Sequence, residues 1–175
     1  MARGMFFLDV LRRVGKKLGT VGLEQRLGIP SRRYLPFTWY PYADYLRLCS
    51  AAAPLLWPGK SQAEALRALG NTLYDAFLDS HVGGVILGIF GRNFGTILKG
   101  CGKAWAVSLN FGEVSVVELG PRHVQLVFRD MPAFLGTLQA GVVEGGMKAT
   151  GVVGVVSPEV YSLSHMTLDV RWNDA

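Results

Sequence analysis

The feature that most constrains this chain is a single change in the spacing of its apolar residues, near residue 104. Before that point they recur at helical spacing, and after it they alternate. In "HVQLVFRD", Val124, Leu126 and Phe128 occupy alternate positions, and "EVSVVEL" precedes it across the turn-forming "GPRH", so the two segments predict a hairpin. Asp130 and Pro132 announce a helix. "VVGVVS", a break at Ser157-Pro158 and "SLSHMTLDVRW" then predict two more strands, the last with Met166, Leu168, Val170 and Trp172 on one face. The expected fold is α+β: a helical half over 1–100 and a β-β-α-β-β half over 104–175, forming a four-stranded, mostly antiparallel sheet in a single domain, 1–175.

In the helical half, "SQAE" places Ser61 as N-cap with Glu64 three residues on, a capping box that starts a helix from 62 to about 79. A helix from about Tyr42 to Ala53 is expected to end at Pro54. The N-terminal segment reads as an amphipathic helix, with Met5, Phe6, Leu8, Leu11, Val14 and Leu18 as its apolar stripe. "VGGVILGIFGRNFGTIL" contains Arg92 and Asn93 and is shorter than the roughly 20 apolar residues of a membrane span. It reads as a buried helix, in which Gly84 and Gly88 lie one turn apart and allow close approach of another backbone.

The helix expected over "FLGTLQAGVVEGGMKATG" carries glycines at 136, 141, 145, 146 and 151. Each interior glycine costs about 1 kcal/mol against alanine. Close packing on the sheet, against residues such as Phe128 and Trp172, accounts for them, with Gly141 and Gly145 facing the strands and Gly146 facing solvent. Gly136, Gly141, Gly145, Gly84 and Gly88 are thereby candidates for a ligand or partner surface.

Charge is unevenly distributed. Residues 1–60 hold ten Lys/Arg against three Asp/Glu, a balance of +7, and the remainder balances to −2. Arg12, Arg13, Lys16, Lys17, Arg32 and Arg33 form a candidate patch for an anionic partner, either nucleic acid or anionic membrane, bound weakly and without sequence preference. An ordinary solvated helix face explains the same charges.

Catalytic and metal-binding patterns are missing. No GxSxG, HExxH or Cys-His signature occurs, and "GIFGRNFG" lacks the preceding strand and the Lys-Ser/Thr ending of a P-loop. His81, His123 and His165 have no second ligand at metal spacing. His81 either caps a helix end or serves as a haem ligand. Cys49 and Cys101 read as reduced thiols of a cytoplasmic protein. No cofactor is expected.

The stretches "YPYADYLRLCSAAAPLLWPGKSQAEALRALGNTLYDAFLDSHVGG" and "FGEVSVVELGPRHVQLVFRDMPAFLGTLQAGVVEGGMKATG" resemble a large family of paralogous, uncharacterised proteins found in myxobacteria. More distantly, the helical half followed by β-β-α-β-β is similar to haem-nitric-oxide/oxygen-binding (H-NOX) sensors, vinyl-four-reductase domains and transport-protein-particle (TRAPP) subunits. These likenesses imply a non-enzymatic signalling or assembly module that binds a protein partner, a second copy of itself or a small apolar ligand. A haem or gas sensor is the further alternative. The Tyr-x-Ser-x-Arg motif for porphyrin carboxylates is absent: "SPEVYSLSHM" has Tyr161 without the arginine.

Overall fold

The computed structural model describes residues 1–78 (76–78 by backbone only), 84, 88, 93–131, 134 and 136–173. Its elements run β1 (Ala2–Arg3), α1 (Gly4–Leu18), α2 (Leu23–Arg26), β2 (Trp39–Tyr40), α3 (Tyr42–Leu56), α4 (Gln62–Leu78), α5 (Phe94–Lys99), α6 (Cys101–Ser108), β3 (Glu113–Gly120), β4 (His123–Arg129), α7 (Leu138–Thr150), β5 (Val153–Ser162) and β6 (His165–Asn173). The α+β order expected from the spacing change is present, and α6 carries the helical half a little further than that change implied.

The sheet is antiparallel in the order β3-β4-β6-β5. Alternation sets its buried face: Leu126, Met166, Leu168 and Val170 have no exposed surface, and Trp172 keeps 8%. Ser157-Pro158 does not break β5, which continues through both residues paired with β6. An edge strand tolerates proline because the missing N–H can lie on the unpaired side.

Helix α4 begins as expected. Ser61 N donates to Glu64 Oε2 at 2.9 Å, and Glu64 N donates to Ser61 Oγ at 3.3 Å. Pro54 does not end α3, which runs on to Leu56. Proline removes the bond that position 54 would donate to the Ser50 carbonyl. Gln62 Nε2 donates to that carbonyl at 2.9 Å instead, so the acceptor is satisfied from the next helix.

In α1 the fully buried apolar residues are Phe7, Val10 and Val14, whereas most of the expected stripe is only half-buried. Phe7 stacks on Tyr34 at 4.8 Å between ring centres, within an aromatic cluster that includes Tyr40 and Tyr45. The β1–β2 pair, which brings Ala2 opposite Tyr40, fixes the N-terminus beside that cluster.

Helix α7 begins at Leu138, later than the sequence implies, because Gly136 has φ +76° and turns the chain just before it. Ala140, Val143 and Met147 pack on the sheet core. The glycines face elsewhere. A Cβ at Gly141 would collide with the Arg67 carbonyl and one at Gly145 with the Asn71 carbonyl, both on α4. The expectation that these two face the strands is therefore corrected. Their common face meets another helix backbone to backbone.

Candidate functional site

At 100° per residue, α7 presents a third face bearing Gln139, Val142 and Gly146. This face borders a cavity of about 150 Å³, lined by Tyr42 and Tyr45 of α3, Leu73 and Tyr74 of α4, Phe94 and Leu98 of α5, and Trp105 of α6. No described lining residue carries a formal charge at neutral pH. Burial pushes the Cys101 thiol up to about 11 and the Tyr74 hydroxyl up to about 12, and it raises Tyr42 and Tyr45 above the usual phenol range as well, so all four stay protonated.

Two polar atoms are buried behind this apolar wall. Gln139, 3% exposed, has a buried Oε1 with no hydrogen-bond partner among the described residues, and the same holds for the buried indole Nε1 of Trp105. Native proteins pair the large majority of such atoms. Trp105 also packs edge-on against Phe128 at 5.5 Å, which holds the indole between the helical core and the sheet core.

The residues singled out from the sequence lie mostly outside this cavity. Gly141 and Gly145 form the α4–α7 crossing, and Gly136 lies against Pro158 and Val160. Gly84 and Gly88 are helical and exposed, with open space where a Cβ would be, so the close approach expected there is not made. Gly146, expected to face solvent, is buried with Tyr74 and Phe94 around it. Gln139 is the residue that sequence reasoning missed. It is the one uncapped polar side chain in "LQAGVV", and that was the available signal.

The basic residues divide by role. Arg12, Lys16, Lys17, Arg32 and Arg33 are exposed, Lys17 Nζ donating to the Leu56 carbonyl at 3.2 Å. Arg13 is half-buried: its Nε is 2.7 Å from Asp9 Oδ2 and its Nη2 donates to the Thr72 carbonyl at 2.8 Å, tying α1 to α4. Arg13 is thus a structural residue first.

Of the histidines, His81 lies outside the described residues. His123 Nε2 is 2.6 Å from Asp169 Oδ2, and His165 packs beside the Tyr161 ring. Among the described residues no group of three or more His, Cys, Asp or Glu could hold a metal ion, and no helix is long and apolar enough to cross a membrane.

An α+β fold with an apolar cavity between its helices is what this geometry defines. The chain belongs to the family described as "Protein of unknown function (DUF2378)", which it matches over residues 1–173. No curated protein matches it. Among solved structures it is similar to an H-NOX protein from S. oneidensis in the Fe(II)NO ligation state, at 14% identity and TM-score 0.78, over 98% of this chain and 99% of that one. It is also similar to the Fe(II) unliganded H-NOX protein from K. algicida, at 11% identity and TM-score 0.70, over 99% and 97%. A third H-NOX structure, from a study of haem distortion in that family, aligns at 12% identity and TM-score 0.74, over 98% and 95%. The shared fold is the H-NOX fold.

That fold raises the question of haem, and the described lining does not fit one. The cavity is smaller than the roughly 300–1,000 Å³ typical of sites enclosing larger ligands. No described imidazole reaches it, its one thiol is held protonated, and no described cation lines it to pair with porphyrin carboxylates.

Proposed function

We propose that this protein is a non-enzymatic signalling or assembly module whose cavity binds a small, largely apolar molecule, with occupancy communicated to a protein partner or a second copy of the chain. The carrying observation is the cavity itself, about 150 Å³ and walled by apolar and aromatic side chains from six helices. Enclosed apolar cavities of comparable size take up molecules as small as benzene or xenon.

Its position supports a response to occupancy. The lining helix α7 is wedged between the sheet and α4, where Arg67 Nη2 reaches both Glu144 and the Val156 carbonyl of β5. A ligand that displaces α7 would load this three-element junction. Differential affinity for the two positions of α7 is what would couple binding to a partner.

Native mass spectrometry of the full chain purified from its host tests the reading, because it reports bound mass and oligomeric state together. The expected spectrum contains the chain plus a small molecule that is released on mild activation. A bare chain that also gives no heat when titrated with toluene would overturn the proposal.

A further inference from the structure

The cations of the first sixty residues are not equivalent, because two of the three carboxylates there are buried. Asp9 is bonded to Arg12 and Arg13, and Asp44 to Arg47, so those arginines are neutralised locally. Arg32 and Arg33 are exposed and form no ion pair among the described residues. They lead into a turn, Leu35–Thr38, closed by Thr38 N donating to the Leu35 carbonyl at 3.2 Å. Gly4 N and Met5 N donate to the Thr38 and Pro36 carbonyls at 2.9 and 3.0 Å, which pins the turn on the start of α1. The turn is held with its apolar side chains outward: Leu35 is 46% exposed and Phe37 59%.

Neighbouring elements extend this face. Arg32 lies 5.9 Å from the Tyr40 ring, whose hydroxyl accepts from Leu35 N at 2.8 Å. Phe37 borders a cleft with Arg3 and Val107, and Arg3 Nε donates to the Val107 carbonyl at 3.3 Å. Val107 is 46% exposed, and Lys103 lies one turn before it on the exposed side of α6. Bare apolar side chains therefore stand beside Arg3, Arg32, Arg33 and Lys103. The phosphates of a nucleic acid would engage the cations and leave the aliphatic groups in water. A lipid interface uses both, since cations meet anionic headgroups while apolar side chains enter the acyl boundary. Trp39, half-buried under the Arg3 guanidinium at 3.7 Å, has the amphipathic ring favoured at that depth.

We propose that this face docks the protein on an anionic membrane, with Leu35 and Phe37 inserted and Arg32 and Arg33 at the headgroups. The inference does not depend on what the cavity holds.

Flotation of the full chain with phosphatidylcholine vesicles, with and without phosphatidylserine, tests this. Phosphatidylserine is expected to strengthen binding by about tenfold or more, and added salt to weaken it. Arg32→Glu should weaken binding by at least about fivefold. Phe37→Ser should weaken it several-fold with the charge unchanged. Both side chains are exposed, so the variants should melt like the wild-type chain, and the losses then belong to binding. Lys16→Glu makes the same charge change about 18 Å along α1, beyond the Debye length of about 8 Å at physiological salt, and should leave most of the binding intact.

No binding to phosphatidylserine vesicles would overturn the inference. So would equal losses in Arg32→Glu and Lys16→Glu, which mean attraction by net charge, or no loss in Phe37→Ser, which means that the ring is not inserted. A DNA duplex bound more tightly than the vesicles, and unaffected by Phe37→Ser, would overturn it too and assign the face to nucleic acid. The cavity reading survives each of these results.

Discussion

The backbone carbonyl of Arg67 fills the space into which a side chain at Gly141 would project, and the Leu138 carbonyl does the same to Gly70 from the opposite helix. Helices α4 and α7 therefore touch backbone to backbone. The Arg67 side chain then closes the crossing, with Nε 3.0 and 3.1 Å from the two Glu144 carboxylate oxygens. Helix α7 also forms one wall of the cavity.

Replacing Gly141 by Ala forces the two backbones apart and should cost about 1–3 kcal/mol, as over-packing does. At Gly84, helical and open, the same substitution should stabilise by about 0.4–1 kcal/mol. Urea titrations of the two variants check the pair. Equal stabilities would mean that the crossing is not close-packed.

Much of this fold was legible in the sequence, for physical reasons that also mark the limits. Val124, Leu126 and Phe128 alternate because one sheet face is buried, and Ser61 with Glu64 names a helix start because orphan N–H groups need acceptors. Periodicity shows that Gly141 and Gly145 share a face, yet it cannot say whether that face meets strands or a helix. Pro158 reads as a break because sequence does not distinguish edge from centre. The cavity was not legible at all, since its walls come from segments as distant as Phe6 and Gly146.

Arg13 and Lys16 are alike in charge and unlike in role. Arg13→Ala removes a bond to the buried Asp9 and frees the Thr72 carbonyl, so a loss of about 1–3 kcal/mol is expected. Lys16→Ala should change stability by less than about 0.5 kcal/mol, as surface substitutions do. Thermal melts at matched ionic strength distinguish them, and equal losses would contradict the assignment.

Asp169 supplies a pH dependence with a definite sign. The hydrogen bond from His123, and then that from Arg171 at 2.9 Å, hold its carboxyl below the ordinary value of 3.8. The folded state thus favours the ionised form. Its contribution is complete above about pH 3.8 and is lost as pH falls through the lower, folded-state value. The stability gap between the wild-type chain and Asp169→Asn, measured by urea titration, should narrow as the pH falls below about 3.8. A gap that goes on widening below that pH would contradict this.

Filling the cavity should separate ligand binding from folding. Ala104 lines it from α6, and Ala104→Leu should place the added atoms in empty space, raising stability by about 0.5–2 kcal/mol while abolishing benzene uptake. Differential scanning calorimetry with and without benzene gives both readings. Destabilisation with benzene binding intact would show that Ala104 borders packed side chains.

The most direct test of the central claim, that this chain holds a cavity for a small apolar molecule, is a crystal structure of the full chain under xenon pressure. The account predicts a xenon site between Leu73, Trp105 and Val143, with α7 still packed against α4 at Gly141. Side chains closed over that space, with xenon absent or bound only elsewhere, would contradict it.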